Sequence, residues 1–191
     1  MRIVGGELSG RVIEAPVGRD TRPTSDRVRE GIAGALAARG AIEGAAVLDL
    51  FAGSGALGFE VLSRGAARLL CLDSDRRALR CIERNAASLG LTDRTRVVKL
   101  DLAATPARIG QRIAELDPGP FSLVFADPPY ADIAVVPALL AALVGQGLLT
   151  PGAFVAIEHP RGQPPATPEG FEPLSSYRYG DTGVALWQSI A

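Results

Sequence analysis

The chain has 191 residues, of which 47% are apolar, and its 20 basic and 21 acidic residues give a formal net charge of −1. This length suits one domain with a large core, and the near-neutral charge lacks the basic excess that marks many nucleic-acid-binding domains. The longest apolar stretches are too short to span a membrane, and the first residues lack the apolar run of a signal peptide. We therefore expect a cytoplasmic, monomeric protein. Two cysteines, Cys71 and Cys81, suit a reducing compartment and lack metal-ligand spacing.

Two elements precede the core. The sequence RIVGGELSGRVIEAP is typical of a β-hairpin with a Gly-rich turn. The following stretch predicts a helix capped by Thr24 or Ser25. Its inward-facing apolar residues are Val28, Ile32, Ala35 and Leu36. We expect a single domain in which residues 1–22 form a hairpin extension and residues 23–191 form the core.

Strand-length apolar segments alternate with helical segments through the core. Five short apolar runs are typical of strands buried on both faces of a parallel sheet: AVLDLF, RLLCLD, RVVKLD, FSLVFAD and AFVAIEH. The segments between them repeat apolar residues at helical spacing, and Gly65, Gly90 and Gly147 lie where helices would end. The pattern predicts an α/β fold with a doubly wound, Rossmann-like sheet that is mostly parallel. The tail SSYRYGDTGVALWQSI predicts an antiparallel C-terminal hairpin with a Gly-Asp-Thr-Gly turn.

The first loop of the core is rich in glycine. In LDLFAGSGALGFE, the residues Gly53, Gly55 and Gly58 lie between a strand and a helix, where backbone amides can approach a ligand. The pattern alone is weak evidence, because a tight strand-to-helix turn without a ligand can contain the same glycines.

Acidic residues lie at or near the ends of three successive predicted strands, namely Asp49, Asp73 and Asp101. Each one alone could cap a helix, but all three lie at the carboxyl edge, where such sheets bind ligands. Together they suit a ligand with an amine, a ribose diol and an adenine amino group. A pyrophosphate next to Asp49 would be repelled, whereas a sulfonium and an α-amine would be attracted. The edge therefore favours S-adenosylmethionine over NAD.

The stretch FSLVFADPPYAD ends the fourth strand with an acid, two prolines and a tyrosine. Prolines alone could end a strand, which accounts for Pro128 and Pro129 but not for Asp127 or Tyr130. The Asp127 carboxylate and the Pro128 carbonyl can accept the two N–H groups of an exocyclic amine, and the prolines stiffen the loop. Tyr130 can stack on a base that has left its helix. We interpret this stretch as a clamp for an exocyclic amine.

The motifs also resemble a known family. DLFAGSGALGFE followed by DPPY is similar to class I methyltransferases that act on exocyclic amines. RPTSDRVRE at residues 22–30, preceded by RIVGGELSGR, resembles the RsmD family of 16S rRNA guanine-N2 methyltransferases, and the likeness extends to the tail YRYGDTGVALW. The resemblance implies S-adenosyl-L-methionine as the cofactor and a guanine N2 amine of small-subunit rRNA as the acceptor. We expect that rRNA to be presented on an assembled or assembling particle, because the protein has little net charge with which to hold naked RNA.

The same resemblance implies roles for individual residues. The catalytic residues are Asp127, Pro128, Pro129 and Tyr130. The methionine half of the cofactor would contact Asp49, Phe51, Gly53 and Gly55, the ribose Asp73 and Ser74, and the adenine Asp101 and Leu102. Residues that could touch rRNA phosphates are Arg2, Arg11, Arg22, Thr24, Arg27 and Arg29. The four candidates within residues 22–29 could equally form the solvent-exposed start of a helix, with their arginines paired to Asp26 and Glu30. No metal is expected.

Several other functions compete with this hypothesis. A DNA methyltransferase acting on adenine N6 or cytosine N4 would use the same clamp, but 191 residues leave no recognisable target-recognition domain. A protein-glutamine methyltransferase would be expected to have Asn at the position of Asp127 and a larger N-terminal domain. Cytosine-C5 methylation needs a nucleophilic cysteine, and Cys71 and Cys81 lie away from the catalytic edge. An NAD-linked oxidoreductase leaves DPPY unexplained. A non-enzymatic rRNA-binding module on the same fold stays open. We expect His159 to be a loop residue beside the pocket and Trp187 to lie in the core.

Overall fold

The core of the fold is a mixed β-sheet. The computed structural model describes residues 1–16 and 26–190, and within them seven strands form one sheet. The strands are β1 Ala46–Leu50, β2 Arg68–Asp73, β3 Thr95–Lys99, β4 Phe121–Ala126, β5 Leu149–Pro160, β6 Phe171–Tyr179 and β7 Thr182–Ser189. They lie in the order β3-β2-β1-β4-β5-β7-β6. Strands β1 to β5 are parallel, whereas β7 is antiparallel to both of its neighbours. The predicted sheet, mostly parallel with an antiparallel C-terminal end, is confirmed.

The described helices lie between the strands and before the first one. They are α1 Asp26–Ala37, α2 Ala56–Ser63, α3 Arg76–Leu89, α4 Pro106–Leu116 and α5 Val136–Gly145. Helix α3 shows how the local sequence sets the ends: the Asp75 carboxylate accepts the Arg77 amide at 2.8 Å, and Gly90 ends the helix at φ 72°. Among the described residues, no helix combines the length and the apolar character needed to cross a bilayer.

Apolar side chains cover both faces of the sheet. One face packs against α1, α2 and α3, which contribute Ile32, Phe59 and Ile82 to the core on that side. The other packs against α4 and α5 and includes Leu140 and the predicted core residue Trp187. The sheet is therefore the middle of three layers, as expected for strands that are apolar on both sides.

The N-terminal segment, residues 1–16, differs from the prediction. It contains a single isolated antiparallel bridge, Arg2 to Val12, so the expected β-hairpin is not confirmed. Three backbone bonds still join its two arms, since the Ile3, Gly10 and Ile13 amides donate to carbonyls of the opposite arm. Other amides of the segment bond to helix side chains, so the ladder does not extend beyond one bridge. The Val4 and Gly5 amides donate to the Glu60 carboxylate of α2 at 2.8 and 2.9 Å. The rest of the predicted extension, residues 17–22, and the predicted helix cap at residues 24–25 lie outside the described residues.

Two further polar side chains attach this segment to the core. The Ser63 hydroxyl of α2 accepts the Leu8 amide at 2.9 Å. The Asn85 side chain of α3 accepts the Glu14 amide at 2.8 Å and donates to the Ser54 carbonyl at 3.1 Å. The segment thus spans α2 and α3 and also reaches the Gly-rich loop, through polar side chains that are buried on the inner faces of these helices.

The C-terminal strands form the predicted hairpin in an unexpected position. Strand β7 enters the sheet between β5 and β6. The turn is shorter than the four-residue turn expected, because Thr182 and Gly183 already belong to β7. Strand β5 runs through Pro160, so His159 lies in a strand and not in a loop, which corrects the prediction. Because β7 is antiparallel to β5, the turn between β6 and β7 lies at the carboxyl edge of the parallel strands.

Candidate active site

The predicted site residues meet at the carboxyl edge of the sheet. Leu50 of β1 pairs with Leu72 of β2 and with Ala126 of β4. Because these strands end in register, the residues that follow them emerge side by side. The structure therefore brings together the Gly-rich loop, the acidic strand ends and the residues after β4.

Asp49 is the most deeply placed acid of this edge. It is 4% exposed and accepts a hydrogen bond from the Gly58 amide in the first turn of α2. Burial raises its pKa well above the ordinary value near 3.8, and the carboxylates of Asp127 and then Asp73 raise it further, whereas the Gly58 amide lowers it. Such an environment disfavours the ionised carboxylate until a cation comes close to it.

The loop after β1 adopts left-handed backbone conformations at three of five residues. These are Phe51 at φ 63°, Gly53 at φ 57° and Gly55 at φ 74°. A left-handed phenylalanine is uncommon and indicates that the surrounding structure imposes the loop geometry. A Cβ on Gly53 would meet only the Phe51 carbonyl oxygen, at 3.9 Å, within a radius of 4 Å. The loop therefore leaves room above Gly53 for a ligand.

Gly58 is required for close packing and not for turn geometry. A Cβ at this position would lie 2.6 Å from a methyl carbon of Leu69 and 3.3 Å from an Asp49 carboxylate oxygen. The absence of a side chain lets the first turn of α2 approach β1 and β2 closely enough for its amide to reach Asp49.

The acids of β2 and β3 lie farther along the same edge. Asp73 is 4% exposed, and its two carboxylate oxygens accept the Gly53 amide at 2.9 Å and the Asp75 amide at 2.8 Å. This carboxylate thus ties the Gly-rich loop to the loop after β2. Beyond it, Ser74 and Asp101 are exposed. Asp101 accepts the Ala103 amide at 3.0 Å, while Leu102 is buried.

The corner after β4 presents the predicted clamp residues. Asp127 is exposed, close enough to Asp49 to raise the pKa of that residue, and Pro128 beneath it is buried. The Pro129 carbonyl accepts the Asp132 amide at 2.8 Å and opens a short 3₁₀ helix at Tyr130–Val135. Within the described residues we find no donor to the Pro128 carbonyl. The Tyr130 side chain is 57% exposed beside this corner.

Two residues at the end of β5 were not predicted as site residues. Glu158 follows Ile157, the partner of Ala126, and is buried next to the corner. The signal was present in the sequence, since Glu158 is an acid at the end of an apolar run, like the acids of the other strands. His159 is also buried; its Nδ1 lies 2.8 Å from the Pro160 carbonyl oxygen and its ring packs on Gly183.

The basic residues proposed for RNA lie apart from one another. Arg2 is exposed and donates to the Gly10 carbonyl at 2.8 Å, and Arg11 is exposed and donates to the Ser88 carbonyl of α3. Arg27 is exposed near the start of α1. The two remaining candidates, Arg22 and Thr24, lie outside the described residues.

Arg29 has a different environment from the other candidates. It is fully buried, and its guanidinium donates to the Arg2 carbonyl at 2.7 Å and to Asp26 at 2.8 Å. These contacts attach the N-terminal segment to α1. The guanidinium thus bonds to the protein itself and is not presented to solvent.

Comparison with known proteins decides the family. The family described as Conserved hypothetical protein 95 matches residues 1–188. The chain belongs to this family. Ribosomal RNA small subunit methyltransferase D of Escherichia coli is 39% identical over 130 residues, which are 68% of this chain and 60% of that protein. This match confirms the RsmD resemblance of the sequence motifs.

Solved structures agree with the fold. The structure of yhhF from Escherichia coli is 32% identical, covers 100% of this chain and 98% of its own, and superposes with a TM-score of 0.79. An RNA methyltransferase from Salinibacter ruber, solved in complex with S-adenosyl-L-homocysteine, shares the fold at 20% identity and a TM-score of 0.62, covering 87% and 93% of the two chains.

Proposed function

We propose that this protein uses S-adenosylmethionine to methylate the exocyclic N2 amine of a guanine in 16S rRNA. The observation that carries the proposal is the corner at residues 127–130, where an exposed carboxylate, an available carbonyl and an exposed tyrosine lie beside the buried Asp49. Membership of a family that includes relatives named as small-subunit rRNA methyltransferases supports RNA as the acceptor.

The acidic edge fits the chemical groups of S-adenosylmethionine. A cationic amine near Asp49 would offset the repulsion that raises the pKa of this residue. The Asp73 carboxylate, held in place by the Gly53 and Asp75 amides, is an acceptor of the kind that ribose hydroxyls need. Asp101 and the apolar Leu102 suit an adenine amino group and ring. When bound, the cofactor supplies the electrophilic methyl group.

The corner after β4 would prepare the acceptor amine. The lone pair of guanine N2 is delocalised into the ring, so the amine must be held with that lone pair directed at the methyl carbon. The Asp127 carboxylate and the Pro128 carbonyl each accept one N–H. As positive charge develops on nitrogen, Asp127 stabilises it and takes the departing proton.

Tyr130 supports the use of a nucleic-acid base as the acceptor. Its side chain is more than half exposed next to Asp127, although large aromatic side chains are usually buried. A base taken out of a stacked structure needs a flat apolar surface in the enzyme, and an aromatic ring provides one. Tyr130 therefore stacks on the flipped base while its neighbours hold the amine.

The test is methyl transfer from labelled S-adenosylmethionine to small ribosomal subunits from cells that lack the enzyme, with naked 16S rRNA and DNA in parallel. Digestion to nucleosides should yield N2-methylguanosine from the subunits. Asp127→Ala should lower the rate about 10²- to 10³-fold, because it removes one acceptor and the charge next to the amine. Asp132→Ala, which changes a half-buried acid of the same loop, should leave the rate near wild type.

Any other result of this experiment would contradict a specific part of the proposal. N6-methyladenine or labelled protein would overturn the guanine substrate while leaving the cofactor. Transfer to naked rRNA as efficient as to subunits would overturn the preference for a particle. Absence of transfer to every acceptor, with S-adenosylmethionine still bound, would favour a binding module without catalysis.

A further inference from the structure

The carboxyl edge continues past the acids into a region rich in arginine. Pairing across β5, β7 and β6 aligns His159 with Gly183 and Gly183 with Arg178. The Arg161 amide, directly after β5, donates to the Asp181 carbonyl at 2.9 Å. Arg161 and Arg178 are thus held beside the β6–β7 turn, at the same edge as the proposed amine clamp.

Arg27 reaches this region from the other layer. Tyr179, the last residue of β6, packs against α1 so closely that a Cβ on Gly31 would overlap its hydroxyl group. Burial and the neighbouring Tyr177 raise the pKa of Tyr179, whereas Arg27 lowers it, so the Arg27 guanidinium acts on this phenol. Arg178 lies between Tyr177 and Tyr179 in β6 and therefore projects from the opposite face of the sheet to Arg27. We call Arg27, Arg161 and Arg178, which flank the β6–β7 turn from both faces, the arginine patch.

The side chains of the arginine patch are exposed and, apart from the effect of Arg27 on Tyr179, their charges have no partner among the described residues. All three residues are exposed, and none of their guanidinium groups forms an ion pair or a hydrogen bond to another described residue. Other arginines differ: Arg64 pairs with Glu60 at 2.8 Å, and Arg94 bonds to carbonyls before β2. The turn itself carries one acid, Asp181.

The distance between the amine clamp after β4 and the arginines beside β6 suits a polymeric ligand. Ala126 pairs with Ile157, Ile157 with Ala185, and Ala185 with Ser176, so β6 lies three strands from β4. At about 4.8 Å per strand this is roughly 14 Å. A ligand that reaches both places must extend by that amount and carry anionic groups at its far end.

We propose that the arginine patch binds backbone phosphates of the RNA strand whose base enters the corner at residues 127–130. This inference rests on the proposed function and adds the path of the strand. Guanidinium groups match phosphate geometry and remain charged at all relevant pH values. The acids at the ends of β1, β2 and β3 are on the other side of the corner, where the proposed cofactor would cover them. A strand that leaves the corner across β5, β7 and β6 passes the buried Glu158 and then reaches the exposed guanidinium groups.

The test measures RNA binding without methyl transfer. A fluorescein-labelled single-stranded RNA is titrated with the full-length protein, in the presence of S-adenosyl-L-homocysteine, between about 50 and 200 mM KCl. Each lost phosphate contact reduces the slope of log K against log salt by about 0.7 for a single strand. Arg161→Gln with Arg178→Gln should therefore reduce the slope by about 1.4, and adding Arg27→Gln by about 2.1 in total.

The control is Arg80→Gln on α3, which is exposed and, like the patch, forms no ion pair or hydrogen bond to the described part of the chain. It should keep the wild-type slope. A wild-type protein that does not bind RNA, an unchanged slope in the double variant, or an equal reduction in Arg80→Gln would each overturn the proposal. Because no methyl group is transferred, failure here is distinct from failure to form N2-methylguanosine.

Discussion

The two halves of the carboxyl edge are built in opposite ways. In the acidic half, at the ends of β1 and β2, Asp49 and Asp73 are each 4% exposed and already hold backbone amides of the loops around them. In the arginine patch, the side chains are exposed and make no bond within the described residues. Buried acids provide fixed geometry for a small cation, whereas exposed arginines provide charge for a flexible polyanion. The difference indicates that the first half determines which small molecule fits and the second how strongly a polymer is attracted.

The largest effect is expected from removing charge in the acidic half. Asp49→Asn keeps the shape of the side chain but removes the carboxylate that faces the proposed cationic amine. The affinity for S-adenosylmethionine at neutral pH should fall about 100-fold, or about 2.7 kcal/mol, measured by calorimetry. The salt slope of RNA binding should not change. Asp93→Asn, the same change at an exposed site at the opposite edge, should alter neither value. A similar loss in Asp93→Asn would mean that overall charge, and not position, attracts the cofactor.

An intermediate effect is expected from crowding the acidic half. In Gly58→Ala the new methyl group would lie 2.6 Å from Leu69 and 3.3 Å from Asp49, so the buried Leu69 side chain or α2 must shift. The free energy of unfolding should fall by about 1–3 kcal/mol, with weaker cofactor binding. Gly34→Ala in α1 meets no atom within 4 Å and should instead raise the free energy of unfolding by about 0.5–1 kcal/mol. Urea denaturation measures both. Equal effects of the two substitutions would refute the close approach of α2.

The smallest effect is a dependence of cofactor affinity on pH. Because the pKa of Asp49 is raised in the folded protein, a cation that binds the ionised carboxylate must release a proton below that pKa. The affinity for S-adenosylmethionine should rise with pH, by at most about tenfold per unit, and level off above the raised pKa. Asp49→Asn should remove this dependence. An affinity that falls with rising pH would contradict the assigned charge.

The same shift predicts the sign of the effect on folding. The folded state binds the Asp49 proton more tightly than the unfolded state does, so this residue lowers stability as pH rises from about 3.8 through its raised pKa. Saturating cofactor should reduce that loss. Thermal melting of wild type and Asp49→Asn across this pH range measures both effects, and identical pH profiles would exclude the linkage.

Much of the acidic half could be predicted from the sequence because its signals are local. Apolar runs gave the strands, and parallel strands in one sheet must end at a common edge. The placement of Asp49, Asp73 and Asp101 near that edge followed without knowledge of the strand order. Glu158 carried the same signal in β5 and could have been recognised from it.

The arginine patch could not be predicted, because it depends on contacts between distant segments. Arg161 and Arg178 lie at one edge because β7 is antiparallel to both β5 and β6, which places the β6–β7 turn next to the end of β5. Arg27 joins them because Gly31 lets Tyr179 approach α1. Conversely, Arg29 has the same local pattern as Arg27, yet it is buried and attaches the N-terminal segment to α1.

The sequence by itself determined the α/β class, most element boundaries and the chemical character of the corner after β4, since hydrophobic period, glycine and proline act over a few residues. Only the tertiary structure decided that the N-terminal segment bonds to α2 side chains, that β7 occupies an interior position, and which arginines form no ion pair or hydrogen bond within residues 1–16 and 26–190. Those outcomes depend on burial and on competition between donors and acceptors far apart in the chain, and local pattern does not encode that competition.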